Sequence, residues 1–265
     1  MLKAPGGIPS PCYVMSDAHL GFADAGVERR VVSFFRHVAS SGGSLIVNGD
    51  LFEFWFEWRT VIPRRGFRAL AALADVVDAG VPVTMVAGNH DCWGGEVLRD
   101  DVGVDYRFGP IVGSAAGWRT HIEHGDGLRP VEDKKYRLLR RVLRNGLAIR
   151  TFRWLHPDLA TPLATGSSHA SRTYVARDAG RGLREAATRI ATADPSLELI
   201  IMGHSHVASL ERLPGGTVYA NPGSWLDAPT FLRITADGVS LRRWDGSAES
   251  SDLDAFHRVA KESLT

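Results

Sequence analysis

The sequence predicts an α/β fold, and three observations carry that prediction. Short apolar runs of strand length recur, amphipathic stretches of helical period separate the early ones, and most runs end on a small patch of Asp, His or Asn beside Gly. At 265 residues with 44% hydrophobic residues, the chain can bury a large core as one domain, 1–265, carrying a helical insertion at 128–195.

The front half reads β-α-β-α-β. Cys12 to Met15 leads into Asp17, and Val27 to Ser40 then carries apolar residues at helical spacing. Leu45 to Val47 leads into Asp50, a second helix spans Pro63 to Ala79, and Val83 to Ala87 leads into Asn89. After Asp101 the elements shorten: Tyr106 to Val112 and Arg119 to Glu123 read as strands, the latter delivering His124. Leu199 to Met202 leads into His204, and Ala208 to Leu213, Thr217 to Ala220, Thr230 to Ile234 and Val239 to Trp244 form a β-rich end.

Between Gly127 and Ser196 the chain leaves this scheme. Arg137, Arg140, Arg141, Arg144, Arg150 and Arg153 interleave with Leu139, Leu143, Phe152 and Trp154, the pattern of two basic amphipathic helices broken near Asn145-Gly146. Such helices lie on anionic membrane surfaces or cover an apolar groove. Because they follow His124 directly, they are placed to form a lid over the patches.

The patches are Asp17-Ala18-His19, Gly49-Asp50, Gly88-Asn89-His90-Asp91, His124-Gly125-Asp126 and Gly203-His204-Ser205-His206. Ligands just past the carboxyl ends of neighbouring strands converge on one crevice. Gly49, Gly88, Gly125 and Gly203 let the backbone turn and pass close to bound metals. Imidazole, carboxylate and one amide oxygen, with no thiolate, suit Mn²⁺, Fe²⁺ or Zn²⁺. Two such ions about 3.5–4 Å apart clamp a phosphoryl group, and Asp50 is the candidate bridging carboxylate.

In this order and spacing the patches, from Asp17 to His206, resemble the calcineurin-like metallophosphoesterase superfamily. That resemblance implies a four-layer αββα sandwich and a ligand set: Asp17, His19 and His206 on one metal, Asn89, His124 and His204 on the other, Asp50 bridging. It also implies that His90 contacts the phosphate and protonates the leaving oxygen, with Asp91 holding its orientation. The stretch Gly49-Asp50-Leu51-Phe52-Glu53-Phe54-Trp55, the His124-Gly125-Asp126 patch and the basic insertion near Tyr136 are more specifically similar to the UDP-2,3-diacylglucosamine diphosphatases of lipid A biosynthesis. Those enzymes hydrolyse the pyrophosphate by water attack on the α-phosphorus, giving UMP and 2,3-diacylglucosamine 1-phosphate, usually with Mn²⁺, in the cytoplasm at the inner membrane surface.

On this resemblance Phe54 and Trp55, with Phe56, Trp58 and the lid residues, are expected to line an acyl trough, and Tyr136 and Arg140 to contact substrate from the lid. Ser168, Ser171 and Arg172 are candidate pyrophosphate contacts by their position in the insertion. One residue departs from that subfamily: His90 stands where its best-known members carry arginine. His90 is the residue of generic calcineurin-like phosphoesterases, so another phospholipid, nucleotide or cyclic nucleotide diester stays as the alternative substrate.

The remaining features set bounds. A net charge of +1 implies no nucleic-acid partner, and two cysteines, Cys12 and Cys92, make neither a disulfide framework nor a C-x-x-C pair. Met1 to Pro11 lacks a continuous apolar segment, and no stretch approaches the roughly 20 apolar residues needed to span a bilayer, so a cytoplasmic protein with peripheral membrane contact is expected.

Overall fold

The computed structural model describes residues 7–130, 133–164 and 178–258. Strands β1 (Cys12–Met15), β2 (Ser44–Asn48) and β3 (Val83–Val86) run parallel, with Val14 beside Ile46 and Ile46 beside Thr84. Their carboxyl ends therefore open onto one edge of the sheet. Strand β4 (Asp105–Arg107) adds parallel to β3, while β10 (Thr230–Ile234), β11 (Gly238–Arg243) and β12 (Asp254–His257) add antiparallel on the other side of β1. The seven-stranded order is β12-β11-β10-β1-β2-β3-β4. A second sheet of five strands has the order β5-β6-β7-β9-β8, built from Ile111–Ala115, Trp118–Ile122, Leu199–Ile201, Val218–Asn221 and Ser209–Arg212 respectively.

Strand alternation explains the stacking. In β1, Tyr13 and Met15 face a core shared with α1 (Ala25–Ser41) and α2 (Phe67–Asp78), whereas Cys12 and Val14 face a second core. That second core also takes Ile122 of β6 and Ile201 of β7, so it lies between the two sheets. On the far side, helix α6 (Arg181–Ala193) packs Leu183, Ala187 and Ala191 against Ile200 and Tyr219 of the five-stranded sheet. The layers are thus helix, sheet, sheet, helix, the sandwich that the resemblance implies. No described helix is long and apolar enough to cross a membrane.

Local chemistry sets the element ends. Helix α1 begins where the Asp24 carboxylate accepts N–H bonds from Gly26 and Val27, and it buries Val27, Val31, Phe34, Phe35 and Val38 along one stripe. Helix α2 starts at Phe67 rather than Pro63, because Gly66 before it is left-handed at φ 79° and the preceding residues form irregular loop. The run Tyr106 to Val112 is two strands, not one: β4 ends at Arg107 in the first sheet and β5 begins at Ile111 in the second. Phe108-Gly109-Pro110 carries the chain between sheets. Strand β12, unforeseen in the sequence, is a half-exposed edge with no apolar alternation.

The segment 128–195 holds two kinds of structure. Helices α3 (Lys134–Leu143) and α4 (Gly146–Phe152), then a helical stretch over 157–164 (α5), form a cover, with Asn145 capping α4 by accepting from Leu147 and Ala148. Helix α6 instead belongs to the outer layer of the sandwich. Ser168, Ser171 and Arg172 lie outside the described residues.

Candidate metal centre

Five loops at the strand ends form the site, and their backbone is held under strain. Asp17, His19, Asp50, His204 and His206 all have left-handed φ, from 45° to 61°. Conformations of this kind cost of order 1–3 kcal/mol each and persist only where surrounding contacts over-determine them. Those contacts are backbone bonds between the loops themselves. Asp17 N–H donates to Gly49 O at 3.1 Å, His19 N–H to Asp50 O at 3.0 Å, Leu226 N–H to Asp17 O at 3.1 Å and Gly203 N–H to His124 O at 2.8 Å.

Two glycines are required by close approach. A Cβ on Gly49 would stand 2.3 Å from His124 Nδ1, and one on Gly88 would stand 2.1 Å from Asp50 Oδ1. The loop 221–224 sits beside the ligands, where Asn221 Nδ2 donates to Gly203 O at 2.8 Å and Ser224 Oγ to Asp17 O at 3.1 Å.

The donor atoms fall into adjoining groups, with His19 also grouped with Glu53 and His90. Asp17, His19 and His206 offer ligand atoms within 4.8 Å of one another, and so do Asp50, His124 and His204. Between them His206 Nε2 lies 3.3 Å from Asp17 Oδ1 and 3.2 Å from His19 Nε2, while His124 Nε2 lies 3.2 Å from Asp50 Oδ2. Asp17 Oδ1, Asn89 Oδ1 and His124 Nε2 are buried and make no hydrogen bond. Buried polar atoms without partners are costly, and divalent cations bound among them would satisfy all three. The residues present therefore fit metal ions.

Protonation follows from this crowding. Burial alone would raise the Asp17 carboxyl, but His124 and His206 outweigh it and bring it to about 2. Asp50 is likewise held well below the carboxylate range by His124 and His90 despite its burial. Against the opposing effect of burial, Asp50 and Asp17 raise His124, and the neighbouring Asp17 and Asp227 carboxylates take His206 up to about 10. Burial and the neighbouring His124 push His204 down to about 4, leaving it neutral and ready to ligate.

The structure corrects one role and supplies another. Asp91, held up at about 7 by burial and the Asp50 charge, does not touch His90: its two oxygens accept from Gly88 N–H and Leu51 N–H, each at 2.8 Å. It staples two ligand loops together. His90 is oriented by Glu53, whose carbonyl oxygen accepts from His90 Nδ1 at 2.9 Å and whose Oε2 lies 3.8 Å from the same atom. A carbonyl only accepts, so Nδ1 carries a proton and Nε2, 4.0 Å from Asp50 Oδ2, is the atom left for a substrate. Glu53 Oε2 also holds His19 Nδ1 at 3.0 Å, the carboxylate–imidazole arrangement that fixes a metal ligand's ring. Asp227 Oδ2 stands 3.6 Å from His206 Nδ1. Neither Glu53 nor Asp227 was singled out in the sequence, although a carboxylate inside the apolar run Leu51 to Trp55 is itself a signal of a buried partner.

The cover meets this centre through an apolar cleft of about 260 Å³, lined by Phe54, Phe56, Trp93, Leu143, Ile149 and Phe152, with Glu53, Asn89 and His90 at its inner end. Phe54 thus lines the cleft, but Trp55 does not. It is fully buried, stacked on Phe52 at 4.5 Å, and its Nε1 donates to Glu57 Oε1. Tyr136 and Arg140 are also absent from the cleft. Tyr136 Oη donates to Asp126 Oδ2 at 2.7 Å and Arg140 Nη1 to Asp126 O at 2.9 Å, so both hook α3 to the loop that carries His124. Trp154, expected in the trough, is 82% exposed.

A two-sheet sandwich with a buried Asp, His and Asn donor set at the strand ends defines a metal-dependent hydrolase. The chain belongs to the calcineurin-like phosphoesterase family, whose model matches residues 10–208. It is 34% identical over 167 residues to UDP-2,3-diacylglucosamine hydrolase of Porphyromonas gingivalis, a match covering 62% of this chain and 64% of that protein. It is 30% identical over 249 residues to the protein of the same name from Xanthomonas oryzae pv. oryzae, covering 87% of this chain and 97% of that one. Vacuolar protein sorting 29 from Cryptosporidium parvum shares the fold, with a TM-score of 0.50 at 12% identity over 95% of this chain and 100% of that chain.

Proposed function

We propose that this chain hydrolyses the pyrophosphate of UDP-2,3-diacylglucosamine, releasing UMP and 2,3-diacylglucosamine 1-phosphate. The apolar cleft that opens directly onto Asn89 and His90 carries this reading, since a water-soluble phosphoester would have no use for it. The relatives named UDP-2,3-diacylglucosamine hydrolase support it. Two divalent ions, Mn²⁺ by preference, would be held by Asp17, His19 and His206 and by Asn89, His124 and His204, with Asp50 shared. Bound there, they supply an acidified water and neutralise charge on the phosphoryl oxygens.

The chain's own residues do the rest. Attack of water on the α-phosphorus forms one P–O bond and breaks the bridging P–O bond, and the electron pair leaves on the sugar phosphate. His90 Nε2, positioned through Nδ1 and the Glu53 carbonyl, faces that oxygen and gives it a proton when the ring is an imidazolium. The cover excludes water and holds the acylated sugar. Its outward face carries exposed Leu138, Leu147, Trp154 and Leu159 among arginines, the composition of a surface resting on the anionic cytoplasmic leaflet.

Purified protein with Mn²⁺ is expected to release UMP from UDP-2,3-diacylglucosamine far faster than it cleaves nitrophenyl phosphodiesters. The opposite ranking sinks the lipid assignment in favour of a second reading, a general phosphodiesterase. That reading draws on His90, a proton donor suited to alkoxide leaving groups more basic than a phosphate.

A further inference from the structure

Arg129, a few residues past the ligand His124, is only 2% exposed, an expensive place for a charge. Its Nε and Nη2 both donate to Asp133 Oδ1, at 3.1 and 2.7 Å, and its Nη1 lies 3.7 Å from Asp178 Oδ2. Those two carboxylates mark the two feet of the cover. Asp133 immediately precedes α3, where the cover leaves the sandwich, and Asp178 precedes the turn into α6, where the chain rejoins it. Each carboxylate is itself tied to backbone. Asp133 Oδ2 accepts from Gly127 N–H and Arg129 N–H, each at 3.0 Å, and Asp178 accepts from Gly180 N–H at 2.9 Å and Gly182 N–H at 3.1 Å. The guanidinium also meets the metal centre. Nη2 stands 3.5 Å from His204 Nε2, close enough to limit how far that ring can turn.

We propose that Arg129 is a positioning residue that couples the seating of the cover to the metal position proposed for His124 and His204. The inference rests on that metal centre, and not on which phosphoester is cleaved. Apolar residues of similar size would hold the two feet together as well as a buried ion pair does, so stability alone does not call for a charge here. A guanidinium adds a rigid planar fork whose donors sit at fixed separations, so one side chain can fix three loops at once. Helix α6 makes room for it: a Cβ on Gly182 would stand 2.8 Å from Arg129 Cγ. The two ligand loops are already joined by the bond from Gly203 N–H to His124 O. Arg129 therefore does not build the metal position; it ties the His204 ring to the starts of α3 and α6. As a bare charge it would act the other way, since a cation beside a ligand nitrogen repels a metal ion.

Calorimetric Mn²⁺ titration and hydrogen exchange of the full-length protein test this. The native protein is expected to take up two Mn²⁺. Arg129→Met and Arg129→Lys are each expected to weaken one of the two by about tenfold, the low end for residues that orient a ligand ring, with the other within about twofold. Gly182→Ala, which crowds the arginine stem and leaves every charge in place, is expected to weaken the same ion. Tighter Mn²⁺ binding by Arg129→Met would mark a repelling charge rather than a strut and overturns the proposal, as does unchanged affinity in all three variants. Hydrogen exchange separates coupling from plain structural support, which would raise exchange with and without metal alike. Mn²⁺ is expected to slow exchange in α3 of the native protein, and that slowing is expected to be lost from α3 in Arg129→Met while it persists in the ligand loops. Equal slowing of α3 in both proteins overturns the coupling. A native protein that takes up no Mn²⁺ sinks the metal centre itself, and the proposal with it.

Discussion

The metal loops and the helical cover above them are held in opposite ways. Around the ligands, strained residues are fixed by backbone bonds from loop to loop, and Asp17, His19, Asp50 and His124 are almost wholly buried. The cover is held through side chains, with Ala160, Ile149 and Phe152 packed on Phe54, Phe56 and Trp58. Asp126 grips Tyr136, Arg140 and Arg144, Trp93 Nε1 donates to Leu143 O at 2.8 Å, and Trp58 Nε1 to Leu155 O at 3.1 Å. Leu138 and Leu147 are left exposed. The ligand loops are thus fixed by backbone, the preorganisation that electrostatic catalysis needs, whereas the cover is fixed by side chains alone. Substitutions in the first region should abolish turnover, and those in the second should change substrate affinity.

The sharpest way to break this contrast is Asp50→Ala. Asp50 shares a donor group with His124 and His204 and its Oδ1 also accepts His90 N–H at 2.9 Å, so metal and geometry should fail together. Metal content should drop and kcat/KM fall by roughly a thousandfold or more. Full metal loading with normal kcat/KM would remove Asp50 from the site. His90→Ala comes next: kcat should fall about a hundredfold on an alkyl phosphodiester, with both metals retained. On the pyrophosphate the loss should be smaller, because a leaving phosphate is a weak base. Equal activity of the variant on both substrates would end the acid role.

Metal binding should depend on pH with a definite sign. In the metal-free protein the His206 pKa is raised from 6.5 to about 10 by Asp17, so the stability from its charged ring is complete below pH 6.5 and is lost as pH rises through about 10. A metal must displace that proton, so its affinity should rise by up to about tenfold per pH unit across the same window for each proton released. The gain in Tm on adding Mn²⁺ should therefore grow from pH 6.5 upward. A gain that shrinks with pH would show that these rings do not ligate.

The two regions also differed in how far the sequence disclosed them. Asp17, His19, Asp50, Asn89, His124, His204 and His206 stand out because residue type, order and a preceding apolar run mark each one. Strand geometry then does the assembling: parallel β1, β2 and β3 end level, so ligands far apart in sequence meet. Phe54 and Trp55 could not be told apart, since the loop after Asp50 has no period and only packing turns one ring to the cleft and the other to the core. The role of Asp91 was misread because adjacency to His90 suggested contact, whereas its carboxylate turns to the backbone of Gly88 and Leu51. Tyr136 and Arg140 read as substrate contacts because their partner, Asp126, is only one carboxylate in a ligand patch.

A milder change tests that grip. Asp126→Asn keeps an acceptor for Tyr136 but removes the charge facing Arg140 and Arg144, each 3.6 Å from Asp126 Oδ2. Both arginines are partly exposed, so the loss should be modest: KM for the UDP-lipid up by about fivefold, with kcat on a small phosphodiester nearly constant. A fall in kcat on the small substrate, with KM for the lipid unchanged, would place Asp126 with the metal centre rather than the cover.

The smallest effects should come from the outer face of the cover. Arg141, Arg150 and Arg153 are exposed and make no ion pair among the described residues, unlike Arg140 and Arg144, which are engaged with Asp126. If the exposed Leu138, Leu147 and Trp154 rest on a bilayer, these three guanidinium groups sit within a Debye length of its phosphates, where each contributes about 1 kcal/mol. Single reversals such as Arg150→Glu should then weaken binding to phosphatidylglycerol vesicles by roughly fivefold or more, additively and less so at high salt. Hydrolysis of a soluble diester should not move, because none of the three lines the apolar cleft. Vesicle binding that ignores all three charges would make the arginines a solvated face, and the outward leucines and Trp154 would then need a protein partner rather than a membrane to cover them.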